Sequence, residues 1–385
     1  MASSRPFPWT AVLLSVGTLV FVALIGGYLW AMRQVVHAYY AAEYQPTPLD
    51  AVTPSVPAKA RVADVPWVKQ PLGRDAALSL QMLAAQQGKD VPLSHVEFAM
   101  GTSWGALGVP RQTSFNPGGD EDVGFRVGAP LLGFTRRYLT TDDAQRYLVE
   151  LKAQLAKGRA VRVVVDLPTL LKQPPQEEAA PRDLVLVGYD GDELEYYDPV
   201  CTKVCDPGER GVAGRKVAAA LLLEAVDRQA LRFKYPWTYQ LLVLEPAGQA
   251  GELTSVLERN ARALIGFKAG GGGPATGSYV VADVAGVVSK SGRDGFSSPL
   301  QAACTLAAQV RADDAAVLRA LFPGDDAVEL AAKQLELAAS AYGRAAKAFE
   351  KKDETFGLTD ALLAAAAADQ EAGAALLTRV QKSHP

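Results

Sequence analysis

Between Arg5 and Arg33 the chain carries no charged residue, and no other stretch restricts its folding as strongly. The segment "PWTAVLLSVGTLVFVALIGGYLWAM" supplies the roughly 20 apolar residues that a bilayer-crossing helix needs. Trp9 stands at one edge of the run, with Tyr28 and Trp30 at the other, where amphipathic aromatics favour the headgroup region. A cleavable leader has a shorter apolar part, about 7–15 residues. The residues before Met32 are Leu29, Trp30 and Ala31, which make no small-x-small site. The segment therefore reads as an uncleaved signal anchor over residues 9–32, behind a short flank of residues 1–8. With so little chain ahead of the span, a single-pass membrane protein is expected. Its bulk would be extracytoplasmic, on the periplasmic side in a Gram-negative cell.

Residues 33–66 follow as a tether, with Pro46, Pro48, Pro54, Pro57 and Pro66 among small and polar residues. From 67 to 246 helix and strand patterns alternate. Residues 75–87 place Ala76, Leu80, Leu83 and Ala84 on one face, and Gly88 ends the run. Ser94 and Glu97 have capping-box spacing at the head of a second helix. "TTDDAQRYLVELKAQLAKG" is a helix, acidic at its start and stopped by Gly158, and "AVRVVVDL" is a strand. "LVLVGYDGDELEYYDPV" reads as a hairpin turning at Asp190-Gly191, a helix follows around 216–231, and "TYQLLVLEP" is a further strand. Residues 247–385 are Ala-rich and helical, the pattern of a bundle whose small faces let helices approach closely. The fold class is α+β, with an N-terminal transmembrane helix, a mixed domain and a C-terminal helical bundle.

Composition narrows the chemistry. A net charge of −3 and a pI near 5.8 give no electrostatic basis for binding nucleic acid. "NPGGDEDVG", with Asn116, Asp120 and Asp122, offers oxygen ligands but lacks EF-hand spacing and its closing Glu, so it reads as a solvated acidic turn. "KAGGGGPATG" lacks the Gly-Lys-Ser/Thr ending of a phosphate loop and reads as a break between helices. No metal site and no cofactor are expected. Cys201 and Cys205, in "CTKVC", are too close and too isolated for zinc, and outside the cytoplasm a local disulfide between them is expected. Cys304 reads as a small buried residue of an Ala-rich helix.

The order of elements over 67–246, about 180 residues, resembles the papain-like superfamily in its C39-like peptidase branch. Within it, the closest resemblance is to acyltransferases of the butirosin biosynthesis protein H type. It is carried by Gln70 ahead of the first helix, by "SHVEFAMGTSWG", by "LKAQLAKGRAVRVVVDL" and by "LVLVGYDGDELEYYDP". The resemblance implies a nucleophilic Cys at the head of the first helix and a partner His on the strand before the Gly188-Tyr189-Asp190 turn. Those positions hold Asp75 and Arg182, with Asp183 next in line if the register slips by one. The resemblance also implies an orienting residue at Asp198 and an oxyanion donor at Gln70, both present. Trp104 would stand near the groove as a lining aromatic.

The inventory of nucleophiles agrees. All three Cys lie downstream of the first helix, and of the three His only His95 belongs to the mixed domain. The expected ion pair at the degenerate site is Asp75 with Arg182, Asp75 also capping its helix. The function expected is binding or scaffolding in the cell envelope by a catalytically inactive papain-like domain, with the membrane contacted through residues 9–32 and a protein partner in the envelope. One alternative is a hydrolase or acyltransferase working through carboxylates such as Asp75 and Asp198. Another is a structural subunit of a membrane complex.

Overall fold

The strand-forming runs of the sequence gather into one sheet of eight strands, and the Ala-rich runs into a helical array beside it. The structure is a computed structural model. It describes residues 24–32, 34–35, 37–38, 40–42, 44–49, 54–67, 74–108, 113–118, 121–174, 181–199, 214–233, 235–247, 250–267, 275–292, 297–349 and 355–383.

Two short strands, β1 (Thr47–Pro48) and β2 (Lys59–Arg61), precede helices α1 (Asp75–Gln86) and α2 (Leu93–Met100). Next come β3 (Leu107–Gly108), α3 (Glu121–Leu131), β4 (Phe134–Thr141) and α4 (Ala144–Ala156). β5 (Val161–Asp166) leads through the single turn α5 (Leu167–Leu170) to β6 (Pro181–Asp190) and β7 (Glu193–Tyr197). β8 (Arg215–Ala218), α6 (Ala219–Phe233) and β9 (Tyr239–Pro246) complete the mixed region. The helical array is α7 (Leu253–Ile265), the short strand β10 (Ala275–Thr276), α8 (Ser278–Ser291), α9 (Ser298–Leu321), α10 (Asp326–Ala348) and α11 (Thr355–Ser383).

The large sheet runs β1-β4-β9-β5-β6-β7-β8, with β2 pairing β6 off that path. Every pairing in it is antiparallel except β1 with β4. β5 is buried at all six positions, as expected of a Val-rich strand covered on both faces. The α1 face chosen by its spacing, Ala76, Leu80, Leu83 and Ala84, is wholly inside. Asp143 caps α4, accepting from the N–H groups of Gln145 and Arg146 at 2.9 and 3.0 Å. The β6–β7 hairpin turns on Gly191-Asp192 rather than Asp190-Gly191, because Asp190 pairs with Glu193 and the left-handed position, φ +57°, falls on Gly191. The expected Ser94–Glu97 capping box does not form. Pro92 occupies the cap position of α2, and Glu97 turns inward to Arg74 at 3.2 Å.

The N-terminal expectations require correction. Residues 24–32 are helical, but among the described residues no helix is long and apolar enough to cross a membrane. Most of the expected span, residues 9–23, lies outside the described residues. The transmembrane helix, the signal anchor, the membrane contact through 9–32 and the single-pass localisation are therefore withdrawn. The stretch read as a tether is instead built into the fold. Tyr44, Val62 and Val65 sit in the core of the mixed region, β1 pairs with β4, and β2 pairs with β6. Pro48 is compatible with this because β1 is an edge strand, where a missing N–H costs no ladder bond.

The helical array and the mixed region share side chains. Phe98 and Trp104 lie in one helical core and Ala106 and Phe115 in the other, while β3 pairs with β10. Arg311, fully buried on α9, donates to Asp369 Oδ1 and Oδ2 at 2.7 and 3.1 Å, to the Gly105 carbonyl at 2.8 Å and to the Ser103 carbonyl. Arg74, at the head of α1, bridges Glu97 to Asp313 of α9 at 2.7 Å. On α3, Gly124 and Gly128 face Met100 of α2. A Cβ at Gly128 would stand 2.9 Å from the Met100 backbone nitrogen, so the two helices approach as only glycine permits.

Candidate functional site

Successive side chains of a strand point to opposite faces, so only one of Arg182 and Asp183 can turn toward α1. The structure selects Asp183. Its backbone N–H donates to Asp75 Oδ2 at 3.2 Å, and both aspartates line one cavity of about 320 Å³. Arg182 instead lies toward Asp198, Nη1 to Oδ1 at 4.0 Å. The expected Asp75–Arg182 pair is thus replaced, because the register stands one residue from the counted one. Asp75 is the first residue of α1, with Arg74 in the cap position and no side-chain cap bond. Its carboxylate remains at the positive end of the helix. Gln70 lies outside the described residues. Asp198 is absent from the described cavity lining; its carbonyl accepts from Trp67 Nε1 at 3.3 Å.

The centre of the site is Arg162, the one charge within the apolar run of β5. Val164 is paired directly with Asp183, so Arg162, two residues earlier on the same face, reaches Asp183 diagonally. Nε and Nη2 donate to the two Asp183 oxygens at 2.8 and 2.9 Å, and Nη1 donates to Asp122 Oδ1. The guanidinium carbon lies 4.4 Å from the centre of the Phe125 ring. Asp122 and Phe125 both come from α3, whose close approach to α2 brings its acidic first turn to the cavity.

Three further elements complete the lining. Glu121 opens α3 and makes no ion pair or hydrogen bond among the described residues. Gln229 of α6 is 2% exposed, and its Oε1 has no hydrogen-bond partner. Tyr40, Tyr44 and Tyr235 form an aromatic side, with ring centres 5.2 Å apart for Tyr40–Tyr44 and for Tyr40–Tyr235.

Burial dominates the electrostatics. It pushes the Asp183 carboxyl up to about 7; Arg162 opposes the shift and Asp75 adds to it. Glu121 is raised well above the usual carboxylate range, by burial first and then by Asp75 and Asp183. Burial works against the charge on Arg162, but Asp122 and Asp183 outweigh it and hold the guanidinium protonated. Two carboxyls whose hold on a proton is raised by burial therefore stand beside Asp75.

Neither Cys nor His lines the cavity among the described residues. His95 lies on α2, away from it, and Cys304 is buried in α9. Trp104, expected as a groove-lining aromatic, is fully buried with its ring 5.7 Å from that of Phe98 and does not touch the cavity. Cys201 and Cys205 lie outside the described residues, as does Asp120. Asp122, read as part of a solvated turn, is instead buried against Arg162. Among the described residues no group of three or more His, Cys, Asp or Glu is arranged to hold a metal ion. Glu121, Arg162, Gln229 and the tyrosines escaped the sequence reading. Only Arg162 carried a local signal, a charge inside an otherwise apolar strand, which must find a buried partner. Compared with known proteins, the chain matches no protein-family model and no curated protein.

Proposed function

We propose that the mixed region is a non-catalytic binding domain on a papain-like plan, with the cavity at the head of α1 as its ligand site. The observation carrying this reading is the meeting of Asp75 with Asp183 at that cavity, at the place where the resemblance puts a thiol and one residue beyond the place where it puts an imidazole. Neither aspartate is disposed as a nucleophile with its base. Asp75 Oδ2 accepts a backbone N–H, and both oxygens of Asp183 are engaged by Arg162. A cysteine-type mechanism needs a thiolate, a base and an oxyanion donor, and each lost partner costs orders of magnitude in rate.

The raised Asp183 and Glu121 carboxyls favour a second reading, general acid–base hydrolysis or acyl transfer by the carboxyls gathered around Asp75. One experiment separates the two. Purified protein is assayed against thioester, ester and peptide substrates, beside Asp75→Ala with its folding checked by circular dichroism. The binding reading expects no turnover by either protein. Turnover abolished by Asp75→Ala in a folded domain overturns it in favour of acid–base chemistry. The double substitution Asp75→Cys with Asp183→His tests the plan itself: acyl-enzyme formation by that variant supports the ancestry of the site.

A further inference from the structure

The geometry points to a primary ammonium group as the ligand of this cavity, an inference that rests on the binding reading above. Charge comes first. Asp75, Glu121, Asp122 and Asp183 contribute four carboxyl groups, against Arg162 in the lining and Arg136 behind it, whose Nη2 donates to the Tyr44 carbonyl. Arg162 is committed to Asp183 and Asp122, so the cavity offers an anion no uncommitted guanidinium in its lining. Glu121 is its carboxyl without a partner among the described residues.

The second observation is independent of charge. Gln229 is 2% exposed and lines the cavity, yet its Oε1 accepts no hydrogen bond. A buried acceptor without a donor is costly, and native structures leave few of them. A ligand that satisfies it brings an N–H or O–H. A primary ammonium carries three such donors and a positive charge, so it answers both the open acceptor on Gln229 and the acidic lining. The tyrosine side supplies aromatic surface, which attracts cations. A quaternary ammonium would use the rings but has no donor for Gln229.

Size sets the class. At about 30 Å³ per water, the cavity of about 320 Å³ has room for on the order of ten waters. That suits a small aliphatic amine or the end of a lysine side chain, two sources with the same chemistry.

The test is titration calorimetry on the full chain with 1,4-diaminobutane and with Nα-acetyl-lysine amide, and with tetramethylammonium and acetate as comparators. The expected result is saturable binding of at least one primary amine, with tetramethylammonium markedly weaker and acetate silent. Binding of the lysine amide alone would keep the ammonium assignment and make a peptide the source. Glu121→Gln and Gln229→Leu should each weaken binding by about tenfold or more, with unchanged circular dichroism. No binding by either amine, or tetramethylammonium binding as tightly as they do, overturns the ligand class. Saturable binding of acetate alone also overturns it while leaving a binding domain standing. Chemical conversion of a bound amine substrate would instead overturn the non-catalytic reading and leave the ligand class intact.

Discussion

Arg162 holds Asp183 through both carboxylate oxygens, at 2.8 and 2.9 Å, from two positions along the neighbouring strand. All three groups of the cluster, Arg162, Asp183 and Asp122, are nearly sealed from solvent. Removing the guanidinium leaves two buried carboxylates without their counter-charge, the circumstance in which breaking a buried pair costs about 3–5 kcal/mol. Arg162→Met should lower unfolding free energy by that order in urea denaturation. Arg162→Lys should recover only part of it, since an ammonium cannot make the two-pronged contact. A loss below about 1 kcal/mol for Arg162→Met would show that the cluster does not hold the sheet to α3.

The buried carboxyls set a pH dependence of unusual sign. Asp183 and Glu97 are each pushed up to about 7, burial being the first cause for both, and Glu121 and Asp314 are raised in the same direction. A carboxyl whose folded pKa exceeds its unfolded value of about 4 binds its proton more tightly in the native state. Its stabilising contribution is complete below about pH 4 and is lost as pH rises through about 7. Glu97→Gln removes one such group, so its stability should fall less steeply than wild type between pH 4.5 and pH 8. Urea midpoints across that range check this; parallel profiles would show that Glu97 titrates normally.

Asp75 raises both Asp183 and Glu121 by its charge. Asp75→Asn keeps an oxygen to accept the Asp183 N–H and deletes the charge. Both neighbouring carboxyls should then titrate at lower pH, measured by carbon-13 side-chain shifts. Asp75→Ala, which also loses the acceptor, should destabilise by about 1 kcal/mol.

Gly128 lets α3 close on α2, since a Cβ there would lie 2.8 Å from Met100 Cγ and 2.9 Å from its backbone nitrogen. Gly128→Val should therefore cost about 1–3 kcal/mol by overpacking. Because α3 carries Glu121 and Asp122, the same substitution should shift the NMR signals of the Arg162 guanidinium. An undisturbed Arg162 signal would show that the helix contact and the cavity are not mechanically linked.

Burial pushes the Cys304 thiol up to about 12, leaving almost no thiolate at neutral pH. Iodoacetamide should leave Cys304 unmodified in the native protein and label it fully in urea, as read by peptide mass spectrometry. Rapid native labelling would place that thiol at an accessible surface.

The sequence by itself determined the elements whose signal is local. The apolar spacing of α1, the β-branched run of β5, the acidic start and Gly158 stop of α4, and the Ala-rich faces of α9–α11 all rest on interactions within a few residues. Each of these elements formed close to its expected place. The head of α1 stood out in the sequence only through the resemblance, which implies a thiol at the position of Asp75.

Tertiary structure alone decided which neighbour meets it. Strand side chains alternate with a period of two, so a one-residue slip in β6 exchanges Arg182 for Asp183 and turns an expected ion pair into an acidic cavity. The N-terminal stretch shows the same limit. Its prolines suggested a tether, but edge pairing and the burial of Tyr44 and Val62 depend on partners far along the chain. Asp122 and Glu121 had the composition of a solvated turn, and only the packing of α3 against α2 and β5 turned them inward. Burial and charge pairing are set by groups distant in sequence, and no local pattern encodes them.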